Sequence, residues 1–242
     1  MAQFSITIAG DSAINLVFGT TISPETNGVI RSAVQTLEAD PLDGVTELVP
    51  TFCSLMVLYD PLVIGFDELC ERVRGKLRNL TSCTQTVKRI VKIPVCYDEE
   101  FGPDMHTVAA HAHLTPEEVI ALHSGHDYLI DMLGFLPGFA YLGGLDERLH
   151  TPRLATPRTR LEAGSVGIGG AQTGVYPLPS PGGWQIIGRT PVKPYDPDRN
   201  PPILYAAGDY MRFVPISKSD YFTIDARVQA GTYVCDVVLE ER

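Results

Sequence analysis

Two periods of apolar and polar residues organise this chain. Residues 4–8 alternate in strand fashion, residues 14–18 form a second short apolar run, and Asp11 and Ser12 supply turn chemistry between them. Ser23-Pro24-Glu25 then reads as a helix start: a capping hydroxyl, a proline in the first helical position and an early acid. Val29, Ile30, Ala33, Val34 and Leu37 follow on one face of that helix, and Asp40-Pro41-Leu42-Asp43-Gly44 stops it. Residues 45–49 and 53–59 read as strands. Phe66, Leu69, Val73, Leu77 and Leu80 recur at helical spacing, and 87–97 is the next strand, with Val91, Ile93, Val95 and Tyr97 on one face. Two helices lying between strand pairs suggest a small α/β sandwich of ferredoxin-like type. Its boundary falls in the polar segment Thr81-Ser82-Cys83-Thr84, so domains are expected over 1–85 and 86–242.

In the second part, Pro103 opens a helix carrying Met105, Val108, Ala109 and Ala112. Thr115 and Glu118 form a capping box around Pro116, with Leu114 and Val119 placed for a hydrophobic staple. Residues 128–133 read as a strand. Beyond 184 the pattern is mainly β, with short strands at 184–188, 203–206, 211–214, 222–224 and 232–239, and a long proline-rich loop at 191–202.

Between these parts lies a stretch with neither period. It begins Gly134-Phe135-Leu136-Pro137-Gly138-Phe139-Ala140-Tyr141-Leu142-Gly143-Gly144. It continues from Ala163-Gly164-Ser165-Val166-Gly167-Ile168-Gly169-Gly170, through Gln172-Thr173-Gly174-Val175-Tyr176, to Ser180-Pro181-Gly182-Gly183-Trp184 and Gly188-Arg189-Thr190. Glycine permits close approach and positive φ, and proline removes a donor, so this reads as a stiff, irregular aromatic surface rather than regular structure. It is too apolar for a flexible linker. A binding floor built from backbone is the functional reading.

The same residues carry a family resemblance. Gly134-Phe135-x-Pro137-Gly138-Phe139-x-Tyr141-Leu142-Gly143, then His150-Thr151-Pro152-Arg153, then the run from Ser165 to Trp184, resemble the smaller subunit of bacterial 5-oxoprolinase. That family is also called allophanate hydrolase subunit 1 or the sporulation-kinase inhibitor family, and is similar to half of the carboxyltransferase domain of urea carboxylase. The resemblance implies a ferredoxin-like N-terminal domain followed by a cyclophilin-like β-barrel, an α+β fold overall. The family's pattern I-P-V-x-Y-x-x-x-x-G-P-D-L is met from Ile93 to Asp104, with Met105 in place of leucine. Leu161-Glu162 stands where the family more often has Val-Pro.

Composition narrows the function classes. At 242 residues, with 44% hydrophobic and 20% charged residues, the chain is globular. A net charge of −10 disfavours nucleic acid. Five widely spaced cysteines without C-x-x-C indicate neither a disulfide framework nor a thiolate zinc site. No leader pattern opens the chain and no apolar run approaches about 18 residues, so a cytoplasmic protein without membrane contact is expected.

Motifs for phosphate and nucleophile chemistry are incomplete. No G-x-x-x-x-G-K-[ST] occurs, and Gln172 stands where a dinucleotide fingerprint after Gly167-x-Gly169 needs its third glycine. Ser165 lacks the strand–turn–helix setting of a nucleophile elbow and reads as a turn hydroxyl. His106, His111 and His113 read as solvated or packed rather than metal-binding. His123 and His126 flank a helix end whose partial charge favours imidazolium.

Asp104, after Gly102-Pro103 at a helix start, is the carboxylate selected as catalytic, able to position an amide or act as a base. Phe135, Pro137, Phe139, Tyr141, Gly169, Gly170, Gln172, Tyr176 and Arg189 are the expected substrate-binding residues. Arg153, Arg158 and Arg160 offer further anion recognition. The resemblance implies one subunit of an ATP-dependent 5-oxoprolinase, opening 5-oxo-L-proline to L-glutamate and inactive alone. ATP would bind on the assembled complex, with no metal or biotin on this chain. The implied partners are a larger carboxyltransferase-like subunit and a third, lactam-utilisation-type subunit. Two other readings remain open: a carboxyltransferase half-domain acting on urea-like amides, and an inhibitor of a sensor histidine kinase.

Overall fold

The computed structural model describes residues 4–80 and 87–241, so the segment Thr81–Thr84 read as a linker lies outside the described residues. The chain divides into two compact units, residues 1–85 and 86–242. Among the described residues, no helix is long and apolar enough to cross a membrane.

Unit 1 contains β1 (Ser5–Ile8), β2 (Ala13–Val17), α1 (Pro24–Ala39), β3 (Val45–Pro50), β4 (Ser54–Tyr59) and α2 (Phe66–Lys76). Ser23 caps α1, its Oγ accepting from the Thr26 N–H at 3.2 Å, with Pro24 as the first helical residue. The strand order is β1-β2-β4-β3. Because β2 and β3 both run antiparallel to β4, they are parallel to each other and α1 is the crossover between them. Strand β4 alternates as its sequence pattern requires, burying Leu55, Val57 and Tyr59 in one core with Ile30, Ala33 and Leu37 of α1 and Leu69 and Val73 of α2. The fourth sheet position is filled by β1, hairpinned to β2 from the N-terminal side. In the expected ferredoxin-like order, a strand after the second helix would occupy it.

Unit 2 opens with β5 (Val87–Val95), α3 (Met105–Ala112) and α4 (Pro116–Ser124). It continues through β6 (Asp127–Leu133), β7 (Ala140–Gly143), β8 (Arg158–Leu161), β9 (Ser165–Gly169), β10 (Gln172–Val175), β11 (Ser180–Gly182) and β12 (Gln185–Arg189), and ends with β13 (Tyr210–Pro215), α5 (Lys218–Gln229) and β14 (Val237–Glu241). Eight strands form one sheet in the order β12-β9-β10-β7-β6-β13-β5-β14, while β8 and β11 pair separately. All neighbours are antiparallel except β13 and β5. The sheet has two ends rather than the closed ladder expected of a barrel. One bridge brings the chain just past β5 back to β12, Cys96 and Arg189 exchanging two N–H···O bonds of 2.9 Å.

Local signals formed the helices. The capping box at α4 is complete: Thr115 Oγ1 accepts from Glu118 N–H at 3.3 Å, and Glu118 Oε2 accepts from Thr115 N–H at 2.7 Å. Leu114 and Val119 enter the same core, with Met105 and Val108 of α3. Three expectations are corrected. The stretch rich in glycine and aromatics is threaded by short strands, from β7 to β12. Residues 222–224 lie in a helix, because Ser217 caps α5 by accepting from Asp220 N–H, and a three-residue apolar run is too short to outweigh that cap. Residues 203–206 contribute only the bridge between Ile203 and Tyr195.

A polar chain runs through the core of unit 2. His123 is fully buried, stacked on Phe213, with Nδ1 2.8 Å from the Tyr97 hydroxyl and Nε2 2.8 Å from Thr173 Oγ1. Thr173 donates its proton to the Gly167 carbonyl at 3.0 Å, so its oxygen must accept from Nε2–H. Nδ1 then accepts from Tyr97, and every member is satisfied with the imidazole neutral. Sequence reading expected an imidazolium here; burial overrides the helix-end charge and lowers the pKa from 6.5 to about 3.

Between those two values the unfolded chain binds a proton that the native chain refuses, so this contribution is intact above pH 6.5 and is lost as pH falls toward 3. Denaturant unfolding should therefore reveal a destabilisation approaching about 1.4 kcal/mol per pH unit in that window. A His123→Gln variant should lack this component of the slope. Identical pH slopes in the two proteins would refute the neutral buried histidine.

Candidate functional site

The aromatic and glycine residues of unit 2 converge on Trp184, the only tryptophan of the chain. Gly167 and Gly169 lie on one face of β9, and Gly174 of β10 is the cross-strand partner of Gly167. The indole rests on this patch. A Cβ at Gly169 would stand 2.3 Å from its Cδ1 and Nε1, one at Gly174 3.3 Å from Cζ3, and one at Gly167 3.3 Å from the Trp184 Cβ. Side chains at Gly169 and Gly174 would press on the ring, and one at Gly167 would meet the Gln185 carbonyl 2.9 Å away, so the glycine run makes room for tryptophan and its strand before it makes room for a ligand. Gly170 serves the turn instead. At φ +67 it leads β9 into β10, and it exchanges two backbone hydrogen bonds with Thr151.

Around the indole the rings pack edge to face. Phe139 stands 5.5 Å from Trp184, 5.4 Å from Tyr176, 5.1 Å from Tyr141 and 5.5 Å from Phe135. Phe139, Tyr176 and Trp184 are buried with Leu161 and Ile186 in a small cluster of their own, and burial raises the Tyr176 pKa. The expected floor is thus a packed layer. Its exposed aromatic is Phe135, 62% accessible and at φ +63, on a loop tied by Tyr205 Oη donating to the Gly138 carbonyl at 2.8 Å. Pro137 is exposed beside it.

Arginines supply the charge. The Arg153 guanidinium lies over the Trp184 ring at 5.8 Å and makes no ion pair among the described residues. Arg158 donates from Nη2 to Asp104 Oδ1 at 2.7 Å and reaches the Trp184 carbonyl with Nη1 at 3.5 Å. Asp104 is buried. Its Oδ2 accepts from the Ile186 N–H at 2.6 Å, and its own N–H donates to the Ile186 carbonyl at 2.9 Å. This carboxylate therefore sits against β12 beside the aromatic layer, with both oxygens engaged.

The remaining sequence-selected residues separate. Gln172 and Gly170 lie at the β9–β10 turn, whereas Arg189 pairs with Ser165 at the opposite end of β9 and donates from Nε to the Ala163 carbonyl. Arg160 pairs with Glu162, and the Ser165 hydroxyl donates to the Glu162 carbonyl. Gln185 was missed by sequence reading: its Nε2 donates to the Pro152 carbonyl at 3.0 Å, while its buried Oε1 has no protein partner. Nothing in its local sequence distinguishes it from a strand residue. No group of three His, Cys, Asp or Glu side chains among the described residues is placed to hold a metal ion.

Two concavities of unit 2 lie away from Trp184. One, of about 600 Å³, is lined by Lys88, His126, Asp127, Tyr210 and Arg212, where Arg212 and Lys88 hold the Asp127 carboxyl down at about 2. The other, of about 560 Å³, lies between the proline-rich loop and the segment before β14. Four backbone carbonyls in that loop accept from Arg199, which braces it from within.

Placing even one methyl beneath the indole should displace it. Gly169→Ala is expected to red-shift the emission of the single tryptophan and to cost about 1–3 kcal/mol in denaturant unfolding. Unchanged emission would show that the ring does not rest on this glycine.

Comparison with known proteins gives the family. Residues 4–205 match the family model described as carboxyltransferase domain, subdomain C and D. The chain is 43% identical over 229 residues to the B subunit of 5-oxoprolinase from Bacillus subtilis (strain 168), covering 90% of this chain and 95% of the relative. With the corresponding B subunit of 5-oxoprolinase from Haemophilus influenzae the identity is 54% over 163 residues, 67% of this chain and 73% of the relative. The crystal structure of TTHA0988 superposes with a TM-score of 0.76 at 36% identity, covering 85% of this chain but 40% of that longer chain. The Kluyveromyces lactis urea carboxylase superposes at 0.80 with 19% identity, covering 98% of this chain and 24% of that one, a likeness of fold alone. On the extent of the family match and the near full-length identity to the Bacillus protein, the chain belongs to the carboxyltransferase subdomain C and D family, among the members that are B subunits of 5-oxoprolinase.

Proposed function

We propose that this chain is one subunit of an ATP-dependent 5-oxoprolinase, which opens the lactam of 5-oxo-L-proline to L-glutamate. The observation that carries the reading is the 43% identity to the Bacillus 5-oxoprolinase protein, extending over 90% of this chain and 95% of the relative. Ring opening breaks the lactam C–N bond; the carbonyl carbon gains a hydroxyl group from water and the nitrogen gains a proton. ATP hydrolysis drives a step that amide resonance otherwise makes slow. The companion is a larger carboxyltransferase-like subunit, joined by a third, lactam-utilisation-type subunit, in a cytoplasmic complex.

Within that assembly this chain contributes a rim rather than a complete site. Phe135, held out in water on a tied loop, supplies an apolar contact, and Arg153, without a carboxylate partner, supplies a cation for a carboxylate or phosphate oxygen. Asp104 is the carboxylate assigned to the reaction. Its engagement with Arg158 means that it acts as a base only when Arg158 turns toward substrate. The ferredoxin-like and barrel-like descriptions of the two units belong to this family reading.

The direct test is ADP release with 5-oxo-L-proline from this chain, from the companion subunits and from their mixture. Activity is expected in the mixture and absent from this chain alone. Turnover by the isolated chain, or none by the assembled mixture, would count against the reading. In the active mixture, Asp104→Asn should lower kcat by roughly a hundredfold, the scale of a positioned acid or base. A change confined to KM would remove Asp104 from proton transfer and leave it a positioning role.

A further inference from the structure

The turn between β4 and α2 presents apolar side chains to water from a braced backbone. The Asp60 side chain accepts from the Leu62 N–H at 2.9 Å, and the Asp60 carbonyl accepts from the N–H groups of Val63 and Ile64 at 3.0 and 3.1 Å. Asp60 N–H donates to the Gly44 carbonyl at 2.8 Å, tying the turn to the start of β3. Ile64 plugs the core beneath at 3% exposure. Above it Leu62 is 94% exposed, Val63 60% and Phe66 37%. Hydrophobic collapse does not account for side chains left this open on so constrained a turn, and a rigid apolar knob loses little entropy when it enters a partner.

The charge around the knob narrows the choice of partner. Between Arg31 and Arg72 the chain has eight Asp and Glu residues and no Lys or Arg, and basic residues return only from Arg72, which pairs with Glu68. Asp60 and Asp67, which make no ion pair among the described residues, adjoin the knob in sequence, with Glu68 and its partner Arg72 beyond them. A second copy of this chain would bring two acidic collars together, which like-charge repulsion opposes. We propose that Leu62, Val63 and Phe66 form the surface by which this chain docks on the companion subunit, entering an apolar socket rimmed by Lys and Arg. This rests on the multi-subunit reading above. The acidic collar speeds encounter, and the knob supplies the desolvated contact.

The test uses the full chain and the companion subunit, with affinity and association rate measured at low and at physiological ionic strength. A Leu62→Ser/Val63→Ser double variant should keep the wild-type thermal midpoint, since both side chains are exposed, while binding at least about tenfold more weakly. Asp67→Lys should slow association mainly at low salt. If the wild-type complex forms and the double variant forms it equally well, the docking surface is wrong while the multi-subunit reading stands. If the wild-type chain does not bind the companion, both fall. A lowered thermal midpoint in the double variant would place the knob against the chain's own second unit. Loss of self-association would assign the knob to a second copy. Either result overturns the proposal.

Discussion

The contact on which the aromatic layer of unit 2 depends is the indole of Trp184 lying on Gly169 and Gly174, with Gly167 beneath its Cβ. These residues lie on neighbouring antiparallel strands, and the missing Cβ atoms leave a shallow bed toward the β12 end of the sheet. The ring fills that bed, Phe139 and Tyr176 pack against its edges, and Arg153 covers it from the solvent side. Glycine in a strand normally weakens it by offering nothing to pack. Here the packing is returned by one large side chain shared among three glycines.

The position of Asp104 follows from this arrangement. Trp184 precedes β12, so the strand that seats the ring also presents the Ile186 amide and carbonyl to Asp104 at the start of α3. Asp104 in turn holds Arg158, whose second nitrogen reaches the Trp184 carbonyl. The helix start, the strand and the arginine are thus coupled around one ring. Shifting the ring would disturb the carboxylate as well as the aromatic layer. The layer itself is filled, and Phe135 and Arg153 lie exposed at its rim.

The two units divide the physical roles. Unit 2 buries one satisfied polar chain, Tyr97–His123–Thr173–Gly167, and this favours one register of β9 against β10. Unit 1 has a simpler core and carries the acidic run between Arg31 and Arg72 together with Leu62, the most exposed large apolar side chain among the described residues. Such a division suits a protein in which one part holds a site and another meets a partner.

What the sequence determined by itself was whatever is decided within about four residues. Ser23-Pro24 and Thr115-Pro116-x-Glu118 start helices because cap and backbone are near neighbours, and the alternation in β4 selects its buried face without reference to the rest of the chain. The motif from Gly134 to Trp184 was legible as a family signature, though not for the reason its glycines exist. Only the tertiary structure decided that Gly169 lies under Trp184, that Asp104 meets Arg158 and Ile186, and that the sheet is brought round by one bridge rather than a full ladder. His123 shows why most plainly. Its local setting at a helix end favours a charge, and its burial between Tyr97 and Thr173, 26 and 50 residues away in the chain, forbids one. Desolvation and close packing depend on which distant strands become neighbours, and that choice is made by the whole unit.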